Sequence, residues 1–250
     1  DGRLWLATFA GLARFDGQQI EPVIGADADR RPLRVTALAD RSRGGLWIGT
    51  EREGVWVLHG GEFVEELIPG VGEQPTTTGV VEDGEGALWL ATNQGAFRRS
   101  AEGSWEQLTD RVVFDLDLGA EGEVWLCGGA LQRVRGGQIE HVPLPHDQHC
   151  LGGVVTPDGG YLARFDDRLE LVGPDARSRG SVTPTGLEPG WMSGPALAPS
   201  GHVWVGSGER IMDLGPWDRL LAGGVEPRSD AWRGPLAPST WRRRARSGWA

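Results

Sequence analysis

The chain has 250 residues, of which 39% are hydrophobic, 40 are Gly and 12 are Trp, and its formal net charge is −10. Its 25 basic residues are all Arg, which excludes a P-loop, a Schiff-base lysine and a Ser–Lys dyad. The acidic balance argues against binding to nucleic acid or to an anionic membrane, and no apolar run reaches the roughly 18 residues that a membrane-spanning helix needs.

One strand–turn–strand unit recurs along the chain. It is clearest from Leu46 to Phe63, where LWIGT and GVWVL are predicted strands, the polar turn EREG lies between them and the turn HGG follows. Turns this short join antiparallel neighbours, so the unit is a meander. Both sides of LWIGT are apolar or small, which predicts a strand buried on both faces. The marker residues of the repeated unit are Trp5, Trp47, Trp89, Trp125, Tyr161 and Trp204.

The spacing of the markers predicts the fold. They are 42, 42, 36, 36 and 43 residues apart, and a period of about 40 residues with four short strands is typical of a β-propeller with one blade per repeat. We predict an all-β propeller over residues 1–222, with five to six recognisable four-stranded blades and the marker aromatics in its core. Because the chain begins in mid-repeat, we expect an incomplete fragment of a seven-bladed or double propeller. Residues 223–250 break the pattern and are predicted to be an irregular or truncated tail containing Arg, Pro and Trp.

The most regular repeats of the chain resemble a known family. LWLATFAGLARFDG at Leu4, LWIGTEREGVWVLHGG at Leu46 and LWLATNQGAFRR at Leu88 resemble the two-component regulator propeller repeat. In that family, the repeats form sensor propellers outside the cytoplasm of bacteria, upstream of a membrane helix and a kinase or other output module. Some members bind carbohydrate-derived ligands. The resemblance implies a periplasmic or extracellular sensor of a signal-transduction protein that is not itself an enzyme, has no cofactor, and meets the membrane only through segments outside this chain.

The ligand of such a propeller is expected on one face, which we name the upper face. It is formed by the turns after the marker strands together with the longer connections between blades, and it carries the variable residues. We expect Arg52 to clamp a carboxylate or sulfate, Asn93 and Gln94 to bond hydroxyls, and Phe165 to stack on a sugar ring. The partner would be a small molecule, such as a carbohydrate, or a protein. The full predicted set is Glu51, Arg52, Asn93, Gln94, Phe165, Asp166 and Glu209.

The stretch PHDQHC, in a connection on the upper face, contains His146, His149 and Cys150, and Cys127 ends the marker strand of the preceding blade. Two thiols and two imidazoles are candidates for a zinc site, although HxxHC is not a zinc spacing. A disulfide between Cys127 and Cys150 is the second interpretation, for a protein outside the cytoplasm. Two unlinked thiols are the default, so no metal is predicted.

Two further functions stay open. Streptogramin lyase is a propeller enzyme whose repeats also resemble these, and an enzyme of that kind needs a positioned base, for which His146 and His149 are the candidates. A protein–protein interaction platform is the third interpretation. The carboxylates of FDLDLGAEGE, from Asp115 to Glu123, are interpreted as strand and turn residues, because the stretch lacks the pattern of a calcium loop.

Overall fold

The structure is a computed structural model, and it describes residues 4–23, 33–184, 192–207 and 210–221. In these ranges six small antiparallel sheets follow one another along the chain, each a meander of consecutive strands. Four sheets have four strands, and the first and last have three described strands each. The predicted tail, residues 223–250, lies outside the described residues.

Each sheet consists of strands that are consecutive in the chain. Sheet 1 contains β1 (Leu4–Thr8), β2 (Gly11–Phe15) and β3 (Ile20–Val23), and sheet 2 contains β4 (Val35–Asp40), β5 (Leu46–Thr50), β6 (Val55–His59) and β7 (Glu62–Glu66). Sheet 3 contains β8 (Thr77–Glu82), β9 (Leu88–Thr92), β10 (Gly95–Arg99) and β11 (Trp105–Thr109). Sheet 4 contains β12 (Val113–Leu118), β13 (Val124–Gly128), β14 (Leu131–Arg135) and β15 (Gln138–His141). Sheet 5 contains β16 (Gly152–Val155), β17 (Tyr161–Arg164), β18 (Leu169–Val172) and β19 (Ser178–Val182), and sheet 6 contains β20 (Ala196–Leu197), β21 (His202–Ser207) and β22 (Arg210–Pro216), followed by helix α1 (Trp217–Leu221).

The sheets are arranged as the blades of a propeller. The first strands of neighbouring sheets pack side by side, β4 against β8, β8 against β12, and β12 against β16, so these strands form the inner edge of the ring. The predicted fold class, an all-β propeller, is confirmed, and the number of blades in the structure is six. No helix in the described part of the chain is both long enough and apolar enough to cross a bilayer.

The marker strands form the core between blades. Every residue of β5, β9 and β13 is buried, as the two-sided apolar pattern predicts. Trp125 stacks on Tyr161 of the next blade, with ring centroids 5.1 Å apart and an interplanar angle of 9°. Strand β1 carries the same sequence motif but stays partly or fully exposed, because no described strand covers its inner edge.

The third strand of blade 3 begins with a glycine for a steric reason. Gly95 has a φ of 126°, in the region that side chains rarely adopt, and a Cβ at this position would overlap the carbonyl group of Thr109. The close approach of β10 to the end of β11 therefore requires glycine. Where the repeat lacks this glycine, at the turn between β17 and β18, the turn takes another form, in which Phe165 N donates to Arg168 O at 2.9 Å.

Candidate functional site

The upper face is held together by hydrogen bonds between the turns and the connections that form it. Thr76 N donates to Asn93 Oδ1 at 2.9 Å, and Gln94 Nε2 donates to Glu73 O at 3.1 Å. Gln107 Nε2, from the outer strand of the same blade, donates to Gln94 O at 3.0 Å. The side chains of Asn93 and Gln94 therefore position the connection between blades 2 and 3, a role that the sequence did not predict for them.

Glu51 and Arg52 lie on the same face, in the turn after β5. Glu51 Oε2 is 2.9 Å from Arg34 Nε, so its carboxylate already has a cationic partner. Arg52 has a φ of 66°, an uncommon value for a residue other than glycine, and its side chain is exposed. Of these two residues, Arg52 is the one whose charge remains open to a ligand.

The structure does not place Phe165 as the sequence led us to expect. Its side chain is fully buried, in the apolar cluster between blades 4 and 5, and its ring lies edge-on to His146 with centroids 4.5 Å apart. A ring inside the core cannot stack on a sugar, so that role needs correction. Asp166, the next residue, is exposed on the upper face, and Glu209 lies outside the described residues.

The two cysteines are joined. Cys127 and Cys150 form a disulfide with a Cα–Cα distance of 5.0 Å, and both residues are fully buried. The default interpretation, two unlinked thiols, is wrong, and the disulfide leaves no thiolate for a zinc ion. His149 packs beside Phe114 instead, with ring centroids 6.5 Å apart. Across the described ranges, no group of three or more His, Cys, Asp or Glu side chains is arranged to hold a metal ion.

His146 faces a buried carboxylate. Its Nε2 lies 3.9 Å from Glu170 Oε2, and both atoms are buried without a hydrogen-bond partner. Glu170 is 1% exposed, and its other oxygen accepts a hydrogen bond from Ser178 Oγ. Gln148 N donates to His146 Nδ1 at 3.4 Å, which assigns the ring proton to Nε2, the atom that faces Glu170. At 3.9 Å the ring N–H is too far from the carboxylate for a hydrogen bond, but the two groups face each other in a buried site.

Four polar side chains of blades 4 and 5 occupy positions at which the other four-stranded blades carry small or apolar residues. The strand register identifies equivalent positions. Burying a polar group costs free energy unless it finds a hydrogen-bond partner. Since the other blades fold with small or apolar residues at these positions, the polar residues point to a functional role. The four residues, with their equivalents in parentheses, are Asp115 (Ala37, Gly79, Gly153), Asp117 (Ala39, Val81, Val155), Gln132 (Trp56, Phe97, Leu171) and Glu170 (Val55, Ala96, Leu131).

Asp115 and Asp117 form a carboxylate niche on the innermost strand of blade 4. Tyr161 OH donates to Asp117 Oδ2 at 2.8 Å, and Gly153 N donates to Asp115 Oδ2 at 3.3 Å. A Cβ at Gly153 would overlap the ring of Tyr161, so glycine makes the room that the tyrosine needs. From the sequence, these aspartates were interpreted as strand residues without a function. Comparison of equivalent strand positions was the signal that would have singled them out.

Burial in this niche raises the pKa values of Asp115, Asp117 and Tyr161. Burial raises the pKa of Asp117 to about 7, the charge of Asp115 adds to the rise, and the hydrogen bond from Tyr161 opposes it. Burial also raises the pKa of Asp115, against the hydrogen bonds from the backbone N–H groups of Gly153 and Leu116 and the charge of Arg164. Burial and the two carboxylates raise the pKa of Tyr161 well above its usual value, so the phenol stays a donor. Because the charge of Asp115 contributes to the raised pKa of Asp117, the two carboxyl groups titrate as a coupled pair.

Several solved structures share the fold of this chain. No family model matches the sequence, and no curated protein matches it. Virginiamycin B lyase from Staphylococcus aureus is similar in structure, with a TM-score of 0.72 and 13% identity over 90% of this chain and 80% of that one. The extracellular domain of a putative hybrid two-component system from B. thetaiotaomicron has a TM-score of 0.73 and 15% identity over 95% of this chain and 37% of that one. A gluconolactonase from Xanthomonas campestris has a TM-score of 0.61 and 12% identity over 84% of this chain and 80% of that one.

These similar structures include extracellular domains of putative one- and two-component systems as well as enzymes. The prediction that the chain is not an enzyme therefore does not stand, because a lyase and a lactonase share its fold. The predicted relation to two-component sensors keeps support at the level of architecture, through the extracellular domains that match. With identities of 12–15%, the similarity establishes one property of this chain, which is that it is a β-propeller.

Proposed function

We propose that the chain is the ligand-recognition part of a bacterial signalling protein, that it works outside the cytoplasm, and that it binds a small polar molecule on its upper face. The observation that carries the proposal is the set of four polar residues in blades 4 and 5 at otherwise apolar positions. The extracellular sensor domains with the same fold support the sensing role. The buried disulfide supports an oxidising compartment, since such bonds persist there.

Polar side chains at these positions cost free energy wherever a buried group is left without a hydrogen-bond partner. Leaving a buried polar group unpaired costs about 1–3 kcal/mol. Glu170 Oε2 and His146 Nε2 are two such atoms, both close to the upper end of their blade. Apolar side chains at equivalent positions of blades 2 and 3 avoid that cost. A ligand that hydrogen-bonds to polar groups here gives them a function. Asp166 is exposed on the same blade as Glu170, and Arg52 is exposed on the upper face of blade 2.

Hydrogen exchange tests whether a small polar molecule binds anywhere on the upper face. A panel of sugars, sugar acids and N-acetylated amino acids is screened by ligand-observed NMR, and the hits are added to the protein before exchange is measured by mass spectrometry. We expect slower exchange in the upper-face connections, residues 67–76, 110–112 and 143–151. The turns of the opposite face, residues 41–45, 83–87 and 119–123, serve as the internal control. Protection confined to those turns, or a panel without hits, would count against recognition on the upper face.

A second candidate function is proton abstraction in an enzymatic reaction, and the His146–Glu170 pair favours it. Glu170 Oε2 lies 3.9 Å from the protonated Nε2, so its charge would stabilise the imidazolium that forms when Nδ1 gives up its 3.4 Å hydrogen bond from Gln148 N and takes a proton. Glu170 here would act as a positioning residue. The lyase and the lactonase among the similar structures make this chemistry compatible with the fold.

His146→Ala tests the catalytic candidate. With virginiamycin B and gluconolactone as probe substrates, we expect any turnover to fall by about 10²–10⁴-fold in His146→Ala, the usual contribution of a general base. His149→Ala is the matched control, because His149 lies in the same connection but packs against Phe114 rather than a carboxylate. No turnover of either probe, or equal turnover in the two variants, would remove this candidate.

A further inference from the structure

A cleft of about 480 Å³ opens between the outer parts of blades 3 and 4 on the upper face. One wall is the end of β11 and the turn after it, residues 107–111. The other wall is formed by Gln132 of β14 with Ile139 and His141 of β15. Its volume falls within the range of about 300–1,000 Å³ that is usual for small-molecule sites. None of its residues was among those that the sequence predicted to bind a ligand.

Gln132 is the residue that marks the cleft as a site. Its side chain is 5% exposed, and no described residue hydrogen-bonds to its amide. A buried amide normally has partners, so one whose free groups reach a cleft is available to a ligand. The equivalent residues of the two preceding blades are Trp56 and Phe97. Replacing a ring by the smaller glutamine both opens the space and supplies a donor and an acceptor there.

The rest of the lining is fixed in place and chemically mixed. Leu108 and Ile139 pack on the apolar cluster between the blades and supply the apolar part of a lining that is mostly polar. Gln107 is anchored by its hydrogen bond to Gln94 O. Arg111 N donates to Thr109 Oγ1 at 3.2 Å, which orders the turn.

The charges at the rim of the cleft are open to a ligand. The side chains of Asp110 and Arg111 are exposed, and within the described ranges neither has an ion-pair partner. An unpaired guanidinium at the end of a small cleft is suited to a carboxylate, which it can hold with two parallel hydrogen bonds. Asp110, on the same turn, disfavours a ligand with a second carboxylate close by.

From these contacts we propose that the cleft binds an N-acylated amino acid or the C-terminal end of a short peptide. Arg111 holds the ligand carboxylate, the amide of Gln132 pairs with the amide of the ligand, and the apolar side chain of the ligand lies on Leu108 and Ile139. The inference rests on the proposed function, since it names the ligand class and one site on the same upper face. A neutral sugar would leave the charge of Arg111 and the apolar side chains of Leu108 and Ile139 unused.

The test uses N-acetyl-L-leucine as the probe and isothermal titration calorimetry as the measurement. For a ligand of this size we expect a Kd on the order of 1 mM. N-acetyl-L-leucinamide, which lacks the carboxylate, is expected to bind at least about tenfold more weakly, the effect of losing about 1.4 kcal/mol. Gln132→Leu and Arg111→Ala are expected to weaken binding of N-acetyl-L-leucine by a similar factor. Arg43→Ala, an exposed arginine on the opposite face, is the matched control and is expected to bind as the native protein does.

The outcomes separate this inference from the proposed function. Gln132→Leu restores the apolar residue of the repeat, so an unchanged or higher Tm shows that lost binding does not come from unfolding. Equal binding by Gln132→Leu, Arg111→Ala and the native protein would overturn the cleft as the site, while exchange protection elsewhere on the upper face would leave the proposed function intact. Absence of binding by the native protein would overturn the ligand class, and the panel of sugars and sugar acids would then decide the proposed function alone.

Discussion

Asp117→Asn is expected to stabilise the protein at pH 8 by about 2 kcal/mol and to lose that advantage near pH 4. The reason is the niche on the innermost strand of blade 4. Burial and the charge of Asp115 raise the pKa of Asp117 to about 7, whereas an aspartate in the unfolded chain titrates near about 3.9. Asparagine keeps the shape of the side chain and can still accept the hydrogen bond from Tyr161 OH.

The direction of the pH dependence follows from the number of protons that Asp117 binds in the folded and the unfolded state. Below about pH 4, Asp117 is protonated in both states and contributes no pH dependence. Between about pH 4 and pH 7 the folded state holds a proton that the unfolded state has released, so the free energy of unfolding falls as the pH rises. Above pH 7 the loss is complete. A shift of about 3 units corresponds to a limit of about 4 kcal/mol, and part of the carboxyl group is open to solvent, which lowers the expected effect to about half.

Urea unfolding of the native protein and of Asp117→Asn at pH 4 and pH 8 measures the difference. Asp40→Asn is the matched control, because Asp40 lies on the innermost strand of blade 2 and is exposed. We expect the control to change the free energy of unfolding by less than about 0.5 kcal/mol at both pH values. A variant Asp117→Asn that is no more stable than the native protein at pH 8 would show that the carboxyl group does not titrate as the niche requires.

The fold could be predicted from the sequence because it depends on local signals that repeat. A period near forty residues, short turns and strands with two apolar sides are each visible without knowledge of the neighbours. The same reasoning placed the turns and the connections on one face, and the hydrogen bonds from Thr76 and Gln94 across that face agree with it. Local signals do not predict burial, because the identical LWLAT motif is buried in β9 and partly or fully exposed in β1.

The candidate site was harder to predict because it depends on which blades lie beside one another. Phe165 follows a marker strand like a turn residue, yet its blade lacks the glycine at the start of the third strand, and the ring folds into the core. The disulfide was one of three interpretations of the two cysteines, because the sequence places both on the upper face but does not give the distance between them. Alternation along FDLDL is also what a solvated strand shows, so the sequence predicts Asp115 and Asp117 as strand residues without a function. The cleft at Gln132 forms only where blade 3 lies next to blade 4.

These cases share one cause. In a propeller, the residues on either side of a radial sheet face the neighbouring blades, so burial of a polar side chain is decided between repeats and not within one. Comparing repeats position by position recovers part of that information. A polar residue at a position where the other repeats carry Trp56 and Phe97, as at Gln132, is a departure that the sequence alone contains. Its consequence, a cleft, requires the structure.

Removing the disulfide, by the double change Cys127→Ala and Cys150→Ala, is expected to lower the free energy of unfolding by about 3 kcal/mol. The bond closes a loop with a sequence separation of 23 residues, and chain entropy gives that value for a loop of this length. It fastens the end of β13 to the connection that enters blade 5, and Gly152 N donates to Cys127 Sγ at 3.0 Å beside it. For a chain of this size, the expected fall in Tm is about 6–12 °C.

Urea unfolding with and without dithiothreitol distinguishes loss of the bond from loss of packing. The reductant should destabilise the native protein by nearly the same amount as the double change and should leave the double variant unaffected. Because the disulfide anchors the connection that carries His146 and His149, we also expect faster hydrogen exchange in residues 143–151 after reduction. Equal stability of the native protein in both conditions, with the thiols shown to be free, would mean that packing of the two buried side chains holds the blades together without the bond.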